Sequence, residues 1–287
     1  MKVLMTGSHG FVGSNLIEAL GDKNDIIRWD VRYEKPLPDV DAVIHLAGKA
    51  HDTKHTTVDA EYFAVNTDLT KKIYDQFLES SAKKFVFFSS IKAKDGDTSY
   101  AISKREAELA ISQKQEFRRK RGKKVYILRP CMIHGPGNKG NLNLLVKWVE
   151  NGLPWPLAAF ENKRSYASIG NVSFFVDRLL CSDVESGVYN VCDDEPVSTN
   201  ELIRVICGCL GKNAHLWRIP QGLMKGLARV GDVLHLPLNT ERLGKLTENY
   251  VVDNTKIKNA LGIEKLPVRA LEGLKSTINY MVKNQRL

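Results

Sequence analysis

No apolar run in the sequence approaches the roughly 20 residues that a helix needs to cross a bilayer. The chain turns glycine-rich near its start, before the apolar stretch of a secretory signal could form. Low-complexity tracts and internal repeats are also absent, and 43% of the 287 residues are hydrophobic, which argues against wholesale disorder. These absences predict a cytoplasmic, globular protein of one or two domains, without a membrane span.

Cysteine is scarce, with five residues, an odd number that fits no disulfide framework. Their spacings match no metal site, and Cys207 and Cys209 stand too close together for a zinc knuckle. We therefore expect buried thiols in a reducing compartment, and no metal.

Positive charge is in excess and is unevenly distributed. The 42 lysine and arginine residues against 33 aspartate and glutamate residues leave a net charge of +9, which suits phosphate-bearing ligands or nucleic acid. Six of these basic residues lie in residues 117–124. Because no aromatic residues are interleaved with them, the run is more typical of a solvated helix end, and we expect no nucleic-acid partner.

Short apolar runs alternate with segments of helical period through the first half of the chain. The alternation predicts an α/β fold with a Rossmann-like, doubly wound parallel sheet, which binds ligands beyond the carboxyl ends of its strands. The predicted strands are 2–6, 26–30, 42–47, 84–90, 125–130 and 187–192. The predicted helices are 12–20, 61–80 and 100–119.

Glycine, proline, asparagine and tryptophan become frequent from Gly135 onward. We assign residues 1–135 to a dinucleotide-binding domain, to which residues 165–192 return, and residues 136–164 and 193–287 to a smaller, mostly helical substrate-binding lobe. Within the lobe, residues 215–236 form either a membrane-surface helix or a helix packed in the lobe. Pro220 and several glycines favour packing.

A glycine-rich turn directly follows the first predicted strand and opens a helix. Gly7, Gly10 and Gly13 let backbone amides approach a pyrophosphate, and the helix N-terminus adds positive potential. Asp30, 17 residues after Gly13, ends the second strand, where a carboxylate accepts hydrogen bonds from the adenosine ribose. This acid repels a 2′-phosphate and favours NAD, although Arg32 leaves NADP open.

Tyr100 and Lys104 lie one turn apart on the same face of a predicted helix. A neighbouring ammonium and a positively charged nicotinamide ring both favour the phenolate, which makes Tyr100 a usable base near neutral pH. Ser90, at the end of the preceding predicted strand, can hydrogen-bond the same substrate oxygen. The three residues predict acid–base catalysis.

These residues belong to a longer series of motifs: TGSHGFVG, HLAG, AVNTD, the Ser89–Ser90 pair, YAISK and LRPCMIHGPG. In this order the motifs resemble the extended short-chain dehydrogenase/reductase family, and within it the NAD-dependent epimerase/dehydratase branch of sugar-nucleotide enzymes. The resemblance covers nearly the whole chain. It implies the same Rossmann-like fold with a C-terminal substrate lobe.

The resemblance also implies a role for each matching position. Ser90, Tyr100 and Lys104 would be catalytic, and Ser90 and Tyr100 would bind the sugar hydroxyl. Asn141 and Arg164 would grip the substrate diphosphate, for which the arginine fork is suited, although a helix cap and a surface charge are the respective alternatives. The cofactor would be held by Gly7, Gly10, Phe11, Val12, Gly13, Asp30, Leu46, Ala47, Gly48, Asn66 and Lys104.

One segment departs from the pattern of the family. Ten residues separate Asp30 from the strand that begins near Asp41, which is too few for the βα unit that relatives insert there. We therefore expect one βα unit to be missing after the second strand, and with it a piece that helps to seat the adenine.

The resemblance implies an NAD-dependent enzyme that acts on a nucleoside-diphosphate sugar, as a 4-epimerase or as a 4-ketosugar reductase. The alternatives are a dehydrogenase or reductase for a small carbonyl compound, and a nucleotide-sensing protein that kept the fold without turnover. The predicted helices 61–80 and 100–119 would give each subunit a face for a homodimer.

Overall fold

The protein is described by a computed structural model that covers residues 1–32, 36–49, 58–138, 140, 142–234, 236 and 238–285. The chain forms two compact units. Unit 1 contains Met1–Cys131, Ile169–Cys192 and Asp253–Lys265, and unit 2 contains Met132–Ser168, Asp193–Val252 and Leu266–Leu287.

The predicted domain boundaries differ from this division at three places. Residues 132–135, predicted to lie in the dinucleotide-binding domain, belong to unit 2. Residues 165–168 belong to unit 2, where most of them form a short strand. Asp253–Lys265 belong to unit 1. This segment is tied to the sheet because the Asn190 side chain donates to the Asp253 carbonyl at 3.2 Å and Lys256 Nζ donates to the Val188 carbonyl at 2.9 Å.

The parallel strands of unit 1 form one sheet in the order β2-β1-β3-β4-β5-β8. The strands of the chain are β1 (Lys2–Thr6), β2 (Asp25–Trp29), β3 (Ala42–His45), β4 (Lys84–Phe88), β5 (Lys124–Pro130), β6 (Met132–His134), β7 (Tyr166–Ser168) and β8 (Gly187–Val191). β6 and β7 form a separate parallel pair in unit 2. Because β1 has β2 on one side and β3 on the other, the winding reverses between β1 and β3, the place where such sheets bind ligands.

Helices connect the strands and make up most of unit 2. They are α1 (Phe11–Leu20), α2 (Asp59–Tyr62), α3 (Leu69–Glu79), α4 (Ser99–Gln113), α5 (Gln115–Lys120), α6 (Leu142–Glu150), α7 (Ile169–Cys181), α8 (Thr199–Leu210), α9 (Gln221–Leu234), α10 (Thr240–Thr247), α11 (Thr255–Leu261) and α12 (Ala270–Gln285). A π-helical segment, Phe63–Asp68, joins α2 to α3, and a 3₁₀ turn, Ile91–Ala93, follows β4.

The sheet of unit 1 is apolar on both faces, as a parallel sheet covered by helices must be. Val3, Leu4 and Met5 of β1 are fully buried. Helices α3 and α4 pack on the face that carries Leu4, Phe85 and Phe87, while α1 packs against α7. The predicted Rossmann-like, doubly wound sheet is confirmed.

The predicted strands are also confirmed, with ends that differ by one residue in three of them and by two residues in two others. The strand predicted over 42–47 ends at His45, and the strand predicted over 84–90 ends at Phe88, because the residues beyond lie in loops of the candidate site. In the described part of the chain no strand lies between β2 and β3, and β3 pairs directly with β1. The expected absence of a βα unit after the second strand agrees with this topology.

Unit 2 has an apolar core of its own, to which α6, α8, α9, α10 and α12 contribute. Helix α9 contributes only one face, since Met224 and Ala228 are buried whereas Leu223 and Leu227 are exposed. The expectation that this helix packs within the lobe therefore holds for one of its faces and not for the other. Within the described ranges, no helix is both long enough and apolar enough to span a membrane.

Two side chains of the basic run before β5 serve the structure of unit 1. Arg118 and Lys123 are buried. Arg118 Nη1 donates to the Lys123 carbonyl at 2.9 Å, and Lys123 Nζ donates to the Ser80 and Ala82 carbonyls at 2.7 and 2.6 Å. The expectation of a solvated helix end is therefore wrong for these two residues. Lys123 satisfies backbone carbonyls after α3, and Arg118 satisfies the carbonyl of Lys123.

The cysteines differ in exposure. Cys131, Cys192 and Cys207 are buried, and Cys209 is half-buried. Cys181, at the end of α7, is exposed, so the expectation of a buried thiol is wrong at this position.

Candidate active site

A glycine cradle lies at the carboxyl end of β1. Gly7 has a φ of +68°, in the left-handed region that favours glycine. A Cβ on Gly7 would lie 2.6 Å from the Ala47 backbone nitrogen, and a Cβ on Gly13 would lie 2.4 Å from the Gly7 carbonyl oxygen. Gly10 is the N-cap of α1 and has an extended backbone. Because glycine has no side chain to accept a hydrogen bond, it leaves the first backbone amides of α1 available to a ligand in the cradle.

A buried hydrogen-bond chain fixes the loop after β3 beside this cradle. Thr6 Oγ1 lies 2.7 Å from His45 Nδ1 and accepts the Ala47 backbone N–H at 3.1 Å. His45 Nε2 lies 3.0 Å from Thr70 Oγ1, and the Thr70 hydroxyl donates to the Asn66 carbonyl at 2.7 Å. Burial lowers the pKa of His45 to about 3, so the ring is neutral and serves to order the loop.

Asn66 is fully buried in the π-helical segment, a local feature that often marks functional sites. Its Oδ1 accepts the Lys49 N–H at 2.8 Å, and its Nδ2 donates to Ser103 Oγ at 3.1 Å. A Cβ on Gly48 would lie 2.9 Å from Asn66 Oδ1 and 3.1 Å from Lys104 Nζ. Asn66 therefore holds the loop after β3 close to α4.

The Ser90 and Tyr100 hydroxyls are joined by a hydrogen bond. Ser90 follows β4, and Tyr100 lies in the first turn of α4, where Thr98 Oγ1 accepts the Ala101 N–H at 3.3 Å. Ser90 Oγ accepts the Lys92 N–H at 3.2 Å, which leaves its proton to be donated to the phenol oxygen. Burial raises the pKa of Tyr100 above its ordinary value, and the hydrogen bond from Ser90 opposes this rise.

Lys104 is buried one turn after Tyr100. Its Nζ donates to the Phe88 carbonyl at 2.9 Å and lies 5.0 Å from the centroid of the Phe87 ring. Burial lowers the pKa of Lys104 to about 8, and the Glu108 carboxylate opposes this fall. The amine therefore changes charge close to neutral pH.

Glu108 is a residue of this site that the motifs do not identify. It is buried, and it accepts hydrogen bonds from Ser89 Oγ and from Arg129, whose Nε lies 2.9 Å from Glu108 Oε1. The hydrogen bond to Glu108 raises the pKa of Arg129. The sequence does carry a signal, because Glu108 lies four residues after Lys104 and Ser89 precedes Ser90.

Asp30 follows β2 directly, at the same edge of the sheet as the glycine cradle. Its carboxylate pairs with Arg32, with the Arg32 Nη2 atom 2.5 Å from Asp30 Oδ2. Hydrogen bonds from Arg32 lower the pKa of Asp30 to about 2. The other predicted cofactor positions lie after β1 and β3, in the π-helical segment and in α4, namely Gly7, Gly10, Phe11, Val12, Gly13, Leu46, Ala47, Gly48, Asn66 and Lys104.

The structure does not test the two residues predicted to grip a diphosphate. Asn141 lies outside the described residues. Arg164 is in unit 2, where its guanidinium donates to the Lys245 carbonyl and its Nη2 lies 3.6 Å from Glu248 Oε1. The role of Arg164 as a diphosphate ligand stays a prediction.

Comparison with known proteins decides the family. Residues 3–192 match the NAD dependent epimerase/dehydratase family. The chain belongs to this family. A Vibrio cholerae protein named UDP-glucose 4-epimerase is 31% identical, and the match covers 99% of this chain and 97% of that protein.

A further relative and a solved structure each match this epimerase/dehydratase family member over nearly its whole length. An Escherichia coli O157:H7 protein named N-acetyl-alpha-D-glucosaminyl-diphospho-ditrans,octacis-undecaprenol 4-epimerase is 26% identical over 97% of this chain and 95% of that protein. The crystal structure of UDP-glucuronic acid 4-epimerase from Bacillus cereus in complex with NAD superposes with a TM-score of 0.74 at 17% identity, over 99% of both chains. At that identity the superposition shows a shared fold.

NAD is the cofactor of the family, and the residues at this edge of the sheet fit it. The glycine cradle accepts no side chain, since a Cβ at Gly7 or Gly13 would collide with backbone atoms. The cradle opens at the N-terminus of α1, which favours the negative charge of a pyrophosphate. Asp30 supplies a carboxylate where the second strand ends.

Proposed function

We propose that this enzyme is an NAD-dependent 4-epimerase of a nucleoside-diphosphate sugar. The observation that carries the proposal is the hydrogen bond between Ser90 and Tyr100, with the buried Lys104 amine one helical turn further along α4. A phenol that is hydrogen-bonded to a serine hydroxyl, with a lysine amine one helical turn further along, is suited to remove a proton from an alcohol. The names of the Vibrio cholerae and Escherichia coli relatives support chemistry at C4.

The proposed reaction begins with Tyr100 taking the proton of the C4 hydroxyl, while Ser90 donates a hydrogen bond to the same oxygen. When bound, NAD would accept a hydride from C4 as the hydroxyl proton passes to Tyr100, and would give the hydride back to the other face of the resulting ketone. Tyr100 would then return the proton to the oxygen. The sum is an inversion at C4 without net oxidation.

The ionisation of Tyr100 is the step that the protein must control. Burial raises the pKa of the phenol, and the hydrogen bond from Ser90 offsets only part of that rise. Positive charge beside the phenol must therefore supply the remainder, and Lys104 together with the oxidised nicotinamide ring would provide it. The base would form only when the oxidised cofactor is in place.

The proposal has one alternative reaction and one alternative substrate. The same residues would reduce a supplied 4-ketosugar if reduced NAD exchanged freely, which makes a 4-ketosugar reductase the alternative reaction. A sugar on a lipid-linked diphosphate is a second candidate substrate, because the Escherichia coli relative is named for a diphospho-undecaprenol sugar and matches 97% of this chain.

The test is to incubate the purified protein with UDP-glucose, with UDP-N-acetylglucosamine and with a polyprenyl-diphosphate sugar, and to follow C4 by NMR. An epimerase interconverts the C4 epimers without consuming added NADH, and small molecules released from the protein include NAD. Stoichiometric NADH consumption with a 4-ketosugar, and no epimerisation, would show a reductase. Absence of both reactions would favour the nucleotide-sensing alternative.

A further inference from the structure

The segment that joins Ser90 to Tyr100 is short and folds back on itself. The Ala93 N–H donates to the Ser90 carbonyl at 3.0 Å, and the Gly96 N–H donates to the Lys92 carbonyl at 2.8 Å. These bonds form two successive turns between β4 and α4. The separation of the Ser90 and Tyr100 hydroxyls therefore depends on how these turns are attached to α4.

Arg105 of α4 attaches both turns through its guanidinium. Its Nε donates to the Ala93 carbonyl at 2.8 Å, and its Nη2 donates to the Gly96 carbonyl. The planar guanidinium fixes two hydrogen bonds at once, whereas a lysine ammonium is a point charge on a flexible stem. Arg105 thus connects both turns to the helix that carries Tyr100.

Close packing at Gly96 supports the same attachment. A Cβ on Gly96 would lie 2.6 Å from Ala101 Cβ and 2.7 Å from the Lys92 carbonyl oxygen. Ala101 directly follows Tyr100 and is buried. The second turn therefore packs against the first turn of α4 without room for a side chain.

We propose that Arg105 is a positioning residue, which holds the segment after Ser90 against α4 and thereby sets the distance between the Ser90 and Tyr100 hydroxyls. The inference rests on the proposed function, in which these two hydroxyls bind the C4 oxygen. Without the guanidinium, the Ala93 and Gly96 carbonyls lose these bonds to α4. The Ser90 hydroxyl is then no longer held at hydrogen-bonding distance from the phenol.

This positioning affects the pH at which Tyr100 acts as a base. Burial raises the pKa of Tyr100, the hydrogen bond from Ser90 lowers it, and Tyr62 at the end of α2 raises it. The Tyr62 ring meets the Tyr100 ring edge-on, with centroids 6.1 Å apart, and Lys104 lies one turn further along α4. Loss of the bond from Ser90 therefore raises the pKa and moves the rise of kcat to higher pH. Loss of stability alone would lower the rate by the same factor at every pH.

Three variants separate these possibilities. Arg105→Met removes the guanidinium, Arg105→Lys keeps the charge without the planar fork, and Gly96→Ala keeps Arg105 but forces the turn away from Ala101. Arg121→Met is the matched control. Arg121 Nη1 also donates to a backbone carbonyl, that of Leu78 at 3.0 Å, but at the end of α3 that precedes β4.

Amide hydrogen exchange of the purified protein measures the attachment without any substrate. Arg105→Met should speed exchange at the Lys92 and Gly96 N–H groups, which donate within the segment to Ser90 Oγ and to the Lys92 carbonyl. Arg121→Met should leave both rates unchanged. Equal exchange rates in Arg105→Met and the wild type would overturn the proposal, whatever reaction the enzyme catalyses.

The rate of C4 inversion as a function of pH measures the consequence. Arg105→Met and Gly96→Ala should lower kcat at neutral pH by about 10-fold to 10²-fold and move its rise to higher pH, with NAD binding retained. Arg105→Lys should recover part of the rate, and Arg121→Met should keep the wild-type profile. A loss of rate in Arg105→Met that is equal at every pH would overturn the proposal. Failure of the proposed function is visible separately, as a Tyr100→Phe variant with the wild-type rate, and the exchange rates then decide the attachment.

Discussion

The carboxylate of Glu108 lies one turn after Lys104 in α4 and opposes the fall in the Lys104 pKa that burial causes. The same carboxylate accepts hydrogen bonds from Ser89, at the end of β4, and from Arg129 in β5. Glu108 thus connects the candidate catalytic amine to two neighbouring strands. We assign it the role of a positioning residue, because it acts on Lys104.

Glu108→Gln should weaken both the fold and the charge on Lys104. The substitution leaves the guanidinium of Arg129 without its carboxylate in a mostly buried place, which should lower the free energy of unfolding by about 2–4 kcal/mol in chemical denaturation. It should also move the midpoint of the pH dependence of NAD binding to lower pH. Glu116→Gln, at an exposed position of α5, is the control and should change neither property. If the midpoint of the pH dependence of NAD binding stays at the wild-type value, Glu108 does not raise the pKa of Lys104.

Gly13→Ala should abolish tight NAD binding. The added Cβ would lie 2.4 Å from the Gly7 carbonyl oxygen, so the turn that cradles the pyrophosphate must open. Gly208→Ala is the matched control, because Gly208 lies in the last turn of α8, where a Cβ meets nothing within 4 Å. The control should bind NAD normally and gain about 0.5–1 kcal/mol of stability. Calorimetric titration with NAD measures the binding. Equal affinities in the two variants would contradict the claim that the glycine turn holds the pyrophosphate.

The affinity for NAD should fall as the pH rises through about 8. Burial lowers the pKa of Lys104 to about 8, so the amine is charged below that pH and neutral above it. If the ammonium form binds the cofactor, the neutral form binds it less well, and the affinity declines on the alkaline side. Lys104→Met should remove this pH dependence together with part of the affinity at lower pH. A wild-type affinity that stays flat between pH 7 and 9 would rule out the ammonium as a cofactor ligand.

Asp30→Asn should narrow the preference for NAD over NADP. The Asp30 carboxylate keeps its negative charge at all working pH values, since hydrogen bonds from Arg32 lower its pKa to about 2. Its removal takes away the repulsion of a 2′-phosphate and leaves Arg32 to attract that group. The ratio of dissociation constants for the two cofactors measures the effect. A ratio equal to that of the wild type would mean that Asp30 does not face the ribose.

The features that depend on local spacing could be predicted from the sequence. The alternation of apolar runs gives the strands of unit 1, and glycine spacing after β1 gives the cradle. The spacing from Lys104 points to Glu108, but its contacts with Ser89 and Arg129 could not be predicted. They depend on the register of β4 against β5, in which Ser89 donates its backbone N–H to the Leu128 carbonyl at 2.8 Å. The sequence favoured packing for α9 but could not predict that Leu223 and Leu227 are exposed, since an amphipathic pattern does not say which face packs.

Turnover of the Tyr100→Phe variant tests the central claim most directly. With NAD and the sugar substrate that the wild type converts, the rate of C4 inversion should fall by about 10²–10⁴-fold, while NAD binding is retained. Tyr74→Phe is the matched control, because Tyr74 lies outside the candidate site. Its hydroxyl is buried and has no hydrogen-bond partner in the part of the chain that the structure describes. It should keep the wild-type rate. A Tyr100→Phe variant that inverts C4 as fast as the Tyr74→Phe control would contradict the account.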